Sequence, residues 1–351
     1  MSETINTLPT TTASSARAAK GSFTRDALVT GVLLVTLAAL SVVSLLAGRV
    51  WVSPAEMWEG LFSSNATLAS LIVTELRLPR TVLAIAVGGT LGLCGAVLQG
   101  LTRNPLAEPG LLGVSAGASL GAVIAIYFGI SAYTTAAIPA FGLVGALGAM
   151  ALTFALGRGG GTLSLVLAGA AVTGFMFALI QLALNLAPSL QAAYEIMTWL
   201  MGSLADRSWD HVVLSAPFII IGCGMLAFTG RALDALSLGE IQAESLGIDM
   251  QRLRLMALIG TAMAVGAATS VTGTVGFIGL VGPHIVRPFV GYQPSRILLP
   301  AAVAGAVLLL GADVATRLIR FGPEMRLGVF TALLGTPFFF WLVVRLRRMS
   351  P

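Results

Sequence analysis

Charged residues make up only 10% of this 351-residue chain, against roughly 25% in an ordinary soluble domain. That shortage excludes a soluble fold, because too few polar side chains remain to clothe a surface. Lysine is nearly missing: Lys20 is the only one. A phosphate-binding loop of the form G-x-x-x-x-G-K-[ST] needs a lysine on the phosphates, so ATP hydrolysis by this chain is excluded. The two histidines, His211 and His284, lie far apart and lack an H-E-x-x-H or cysteine partner. No metal site and no cofactor are expected, and His284, just after Gly282-Pro283, reads as a structural hydrogen-bonding residue. Cys94 and Cys223 both fall inside apolar runs, which suits small core residues better than a disulfide framework. No His/Asp/Glu or Cys constellation suggests an enzyme. Paired intramembrane carboxylates are also missing, and Asp313 has Arg317 at the i, i+4 spacing that lets two helical side chains meet. A proton- or ion-coupled secondary carrier usually keeps buried carboxylates for coupling, so that alternative is weakened but stays open.

What the chain has is apolar length. Hydrophobic residues reach 56%, and the 41 glycines with few aromatics suit helices packed closely in lipid through small residues. Residues 28–48 and 297–310 are nearly unbroken apolar runs, unlike the alternating strands of a membrane barrel. At about 20 residues per crossing, the pattern predicts an all-α polytopic fold. About ten spans are expected, near residues 28–48, 82–102, 111–130, 136–157, 163–187, 211–230, 255–272, 274–290, 298–318 and 327–345. The seventh and eighth are interrupted by Gly273, Gly276, Gly279, Gly282 and Pro283, as in one bent segment plus a re-entrant piece. Arg17, Lys20 and Arg25 before the first span, with Arg345, Arg347 and Arg348 after the last, demand an even number of crossings with both termini cytoplasmic. Residues 1–24 read as a disordered cytoplasmic tail, and 25–351 as one membrane domain. The charges lie mostly in short loops and report topology, so the basic balance does not point to a nucleic-acid partner; membrane lipid is expected around the spans.

One cytoplasmic loop is distinctive. From Leu233 it reads L-D-A-L-S-L-G-E-I-Q-A-E-S-L-G-I-D to Asp249. A short helix is expected near 237–248, with Ser237 as its cap, Glu240 at the positive end of its dipole and Gly247 ending it. The small residues Gly239 and Ala243 would let it enter a partner's groove. The bland reading is an amphipathic helix on the bilayer, but such helices favour Lys/Arg on the polar face, and here it carries Glu240 and Glu244.

Other motifs follow in order. Arg77-Leu-Pro79-Arg80 opens the second span, with Pro79 in a first turn where its missing N–H is harmless. Two arginines at the positive end of that helix are unfavourable. Their position suggests either an acidic partner or snorkelling to lipid headgroups. Gly95 to Gly117 (GAVLQGLTRNPLAEPGLLGVSAG) closes the second span and opens the third, with Glu108 available to cap the next helix. Trp199-Leu-Met-Gly202-Ser203, then Gly276 to Arg287 (GFIGLVGPHIVR) and Gly328 to Phe338 (GVFTALLGTPF) complete the set. Together, from Arg77 to the C-terminus, these segments resemble the permease family of type II ATP-binding-cassette importers for iron siderophores, haem and vitamin B12.

The resemblance implies a ten-span subunit that works with a second permease subunit, the same chain or a related one. Two ATP-binding-cassette ATPase subunits and an extracytoplasmic substrate-binding protein complete the assembly in the cytoplasmic membrane. It implies ATPase coupling by Gly239, Glu240, Ala243, Glu244, Leu246 and Gly247. Docking of the binding protein falls to Arg77, Arg80 and Arg317. Where the family has Glu-Leu-Pro before the last span, this chain has Glu324-Met325-Arg326, which adds Arg326 to the docking set. A translocation route between two subunits is expected along the fifth and tenth spans, at Phe175, Met176, Leu179, Thr331 and Leu334. Its uncharged wall suits a preassembled chelate, since a bare cation needs oxygen ligands. Thr173, Gln181 and Asn185 of the fifth span would line that route or hydrogen-bond to neighbouring helices.

Overall fold

A computed structural model describes residues 12–48, 50–62, 67–319 and 325–349. The described residues form helices joined by short irregular segments, with no strand among them. Its helices are α1 (Thr12–Leu46), α2 (Pro54–Phe62), α3 (Leu68–Leu71), α4 (Leu78–Thr102), α5 (Val114–Tyr127), α6 (Ala137–Gly157), α7 (Gly161–Asn185) and α8 (Leu190–Leu200). They continue as α9 (Trp209–Ala227), α10 (Gly230–Leu236), α11 (Glu240–Ser245), α12 (Met250–Thr272), α13 (Ile278–Val290), α14 (Pro294–Leu318) and α15 (Leu327–Met349). Helix α1 begins upstream of the expected first span, in an alanine-rich segment that favours helix. Residues 1–11 of the expected tail lie outside the described residues.

Eight helical segments among the described residues are long and apolar enough to cross a membrane, and α5 and α13 are shorter apolar helices. The expectation of ten spans therefore holds, as eight long helices and two short ones. At 1.5 Å per residue, α5 and α13 reach only about 20 Å, short of a bilayer core of about 30 Å. The irregular segments at 103–113 and 273–277 lead into these two short helices. Non-helical backbone at that depth survives only where protein satisfies its polar groups. Here the Thr153 hydroxyl donates to Leu112 O (3.1 Å) and that of Thr173 to Gly110 O (3.3 Å). Ser203 N–H donates to Thr272 O at 2.7 Å, and the Thr274 hydroxyl to Leu200 O. Thr173 thus takes the hydrogen-bonding role, while Gln181 and Asn185 are exposed.

The two irregular segments meet each other. The Glu108 carboxylate lies against the backbone N–H of Phe277, and beside them Gln99 Nε2 of α4 donates to Gly279 O of α13 at 3.3 Å. Glu108 therefore faces the start of α13 and not α5, because the loop folds back against that helix. Phe277 itself is left-handed, with φ +68°, an uncommon conformation for a non-glycine residue.

Helices α4, α12 and α14 form the interior, and α1, α9 and α15 the periphery. The inner seams are made by glycine. A Cβ on Gly95 would stand 1.8 Å from the Gly279 carbonyl oxygen, and one on Gly92 2.1 Å from that of Ala301. Backbones touch there without side chains between them.

Candidate functional site

At one end of the bundle the arginines of the expected docking set converge, but inward. Helix α1 ends at Leu46, leaving its last carbonyls without helical partners. Arg77 Nη1 donates to Leu45 O (2.6 Å) and Leu46 O (2.9 Å), and Nη2 to Val50 O. Arg317 Nη1 reaches Ser44 O (2.9 Å) and Ala47 O (3.2 Å), and its Nη2 the Ser44 hydroxyl (2.6 Å). Two cations at a helix C-terminus are favourable. That resolves the awkward position of Arg77 at the start of α4: its charge answers the end of α1. Gly48 makes the seat, since a Cβ there would stand 2.8 Å from Arg77 Nη2.

Asp313 completes this clasp. Its carboxylate is fully buried and bonded on both sides, to Arg80 Nη2 at 2.9 Å and Arg317 Nη2 at 2.9 Å. Arg80 Nε adds a second contact at 2.9 Å, and Ser44 and Thr81 share a hydroxyl bond at 2.7 Å. The Asp313–Arg317 pair was legible from its spacing. The Arg80 contact, 233 residues away in sequence, was not. Arg77 is buried and spends its guanidinium on three backbone carbonyls at the end of α1. Arg80 and Arg317 keep 12% and 6% of their side chains exposed. Arg326 is half-buried near Arg207, whose guanidinium is pushed down from its ordinary value mainly by burial, with Arg326 adding to the effect. Glu324 lies outside the described residues.

A π-turn over Ile72–Arg77 leads into α4 just before Pro79, where a proline disturbs regular helical bonding. Trp209 Nε1 donates to Thr74 O within that turn at 2.9 Å.

At the opposite end lies the distinctive loop. The expected short helix forms as α11, but Ser237 does not cap it. Ser237 ends α10 instead, donating to Asp234 O at 2.6 Å, and Gly239 at φ +119° occupies the cap position. Gly247 is left-handed at φ +84°, as expected for a helix stop. Ala243 is fully buried in the subunit's own core. Its small size suits that internal packing. Glu240 accepts from Arg254 Nη2 (2.9 Å) and from the Thr162 hydroxyl (3.1 Å), which ties α11 to α12 and α7. Glu244 is exposed, and so are three large apolar side chains: Leu238 (64%), Ile241 (77%) and Leu246 (64%). Leu238 and Ile241 escaped the sequence reading; an apolar residue in a polar loop was the signal available.

The expected route residues divide. Phe175 and Leu334 are exposed and Leu179 half-exposed. Met176 packs inside with Ala116, Ala149 and Val172, and Thr331 is buried with its hydroxyl on Gly328 O at 3.1 Å. These two face the subunit's own interior. One residue of displacement turns a helical side chain by about 100°, which is why neighbours part company.

The profile of the FecCD transport family matches residues 35–345. This chain belongs to the FecCD transport family. The FecCD chain is 38% identical over 326 residues to the vitamin B12 import system permease protein BtuC of Klebsiella pneumoniae, covering 91% of this chain and 93% of that protein. It is 36% identical over 327 residues to the hemin transport system permease protein HmuU of Yersinia pestis, covering 91% and 96%. Against the Fe(3+)-citrate import system permease protein YfmD of Bacillus subtilis it is 36% identical over 290 residues, covering 83% and 86%. A solved structure described as the inward-facing conformation of a metal-chelate type ABC transporter matches with a TM-score of 0.79 at 29% identity, covering 91% of this chain and 99% of that one. This FecCD chain is thus a multi-pass membrane permease, as its motifs implied.

Proposed function

We propose that this chain is the permease subunit of an ATP-driven importer in the cytoplasmic membrane, moving a metal chelate inward by alternating access. The observation that carries the reading is α11. It is a short helix fastened to two membrane helices through Glu240, with Leu238, Ile241 and Leu246 exposed beside it. Apolar side chains on a polar end are what a partner's groove buries, and the Glu240 tether would transmit the partner's movement to α7 and α12. Two ATP-binding-cassette ATPase subunits are the partners this reading requires there, on the cytoplasmic side. A second permease subunit and an extracytoplasmic binding protein complete the assembly.

At the clasp end, the binding protein's acidic residues would meet Arg80, Arg317 and Arg326, with Arg77 behind them holding α1. Between two subunits, Phe175, Leu179 and Leu334 would offer the cargo an uncharged wall. That wall fits a ferric siderophore, with haem or a cobalamin as alternatives. A coupled secondary carrier is not favoured. Asp313 is held between two guanidiniums, and the similar proteins named above are permeases of import or transport systems.

Purification supplies the test. An ATPase should co-purify with the chain, and Ile241→Asp with Leu238→Asp should release it while the membrane domain keeps its thermal stability. Normal substrate-stimulated ATP turnover in the double variant would overturn the coupling role of α11.

A further inference from the structure

Between the α6–α7 turn and the first turns of α12 lies a cavity of 300 Å³. Its apolar lining is Phe154, Leu165 and Leu258, the last two buried, and its polar lining is Arg158, Gln251 and Arg254, the first two exposed, so the charges form its rim. The turn that opens it is tight and bare, since Gly159 and Gly161 take φ of +85° and +69°. Helix α7 begins there, so its positive end adds to the field of the two arginines. Arg158 is exposed and has no carboxylate at ion-pair distance among the described residues. Arg254 shares its charge with Glu240 of α11. Both crossing helices turn at this level, which puts the rim at the boundary of the bilayer.

We propose that this cavity binds the phosphate headgroup and upper acyl chain of an anionic phospholipid, in the leaflet next to α11. A cationic rim over an apolar base matches a lipid's own division into anionic head and hydrocarbon tail. A free phosphate would satisfy the rim and leave Phe154, Leu165 and Leu258 uncovered. Basic pockets between membrane helices are where anionic headgroups are held, and the volume is that of a small-molecule site. The headgroup draws on Arg254, the residue that holds Glu240, so lipid occupancy and the seating of α11 are linked through one guanidinium. The inference rests on the chain spanning a bilayer and on no assumption about cargo or ATPase, so it fails separately from the importer reading.

The purified protein, with any subunits that accompany it, is equilibrated in nanodiscs of equal parts phosphatidylcholine and phosphatidylglycerol. Native mass spectrometry then counts the lipid retained on transfer to detergent. Phosphatidylglycerol should be retained in preference, and Arg158→Gln should lower its occupancy about five-fold, the value of one interfacial arginine. Gln251→Trp keeps every charge but fills the rim, and should lower occupancy too. Arg231→Gln, which removes an exposed arginine of α10 at the same end, should leave it unchanged. Equal retention of the two lipids, or wild-type retention in both cavity variants, would overturn the proposal. Displacement of the lipid by millimolar inorganic phosphate would also overturn it, by identifying a site for free phosphate.

Discussion

Helix α1 and the α4–α14 seam are held in the bundle by opposite means. The seam is dry and close: Gly88 and Gly305 touch backbone to backbone, and a Cβ on Gly305 would stand 2.2 Å from the Gly88 carbonyl oxygen. Helix α1 buries little of its apolar stretch, and polar staples fix it at its two ends. One is the clasp of Arg77, Arg317, Ser44 and Thr81. The other joins Asp26 to Arg296 at 2.5 Å, with Arg25 donating to Pro288 O at 3.1 Å. In lipid, an apolar helix gains little by leaving hydrocarbon for protein. A helix therefore stays attached either by packing so close that dispersion decides, or by polar bonds that lipid cannot replace.

The comparison breaks most sharply at Asp313. Asp313→Asn removes the one carboxylate between two buried guanidiniums, and leaving a buried charge uncompensated costs about 3–5 kcal/mol. Thermal unfolding in detergent should fall accordingly, and α1 should become accessible to thiol labelling at a cysteine placed at Ala47. An unchanged melting temperature would show that the clasp is not what holds this end.

The same close glycine packing, where α4 meets α13, should break next. Gly95→Ala forces a methyl onto the Gly279 carbonyl, and overpacking of this kind costs roughly 3 kcal/mol. In contrast to Asp313→Asn, the loss should be insensitive to ionic strength. Should the variant melt like wild type, the approach of α4 to α13 is looser than described.

The smallest effects belong to the individual staples. Ser44→Ala removes hydroxyl bonds worth about 1 kcal/mol net. Arg296→Gln removes an ion pair at the bundle's edge, worth at most about 1 kcal/mol. A double-mutant cycle between these two sites should be additive, since they lie at opposite ends of α1. Coupling between them would mean that α1 responds as one rigid strut.

Much of the candidate site was legible, and the failures share a cause. Gly247 stops α11 as expected, because glycine alone takes that backbone conformation without strain. Glu108 was assigned to the next helix in sequence, but tertiary packing brings it to the start of α13; Ser237 was assigned to α11, but it bonds Asp234 O at the end of the adjoining α10. Ala243, expected in ATPase coupling, and Met176 and Thr331, expected along the translocation route, are buried within the single subunit. Spacing along a helix shows which residues share a face, and no local signal says whether that face meets a partner or the subunit's own core when both are apolar.

By itself, then, the sequence determined the solvent, the helices and the family. Too little charge leaves only lipid as surroundings, lipid demands that backbone groups be satisfied within helices, and five motifs in register name the kin. Tertiary structure decided everything that depends on distance between remote residues. It set Asp313 between Arg80 and Arg317, turned Arg77 to the end of α1, and brought Glu108 to the start of α13. It also opened a cationic rim between α6, α7 and α12. Each of these joins groups on different helices, and their meeting follows from how closely glycine lets backbones approach, a quantity that no stretch of sequence carries alone.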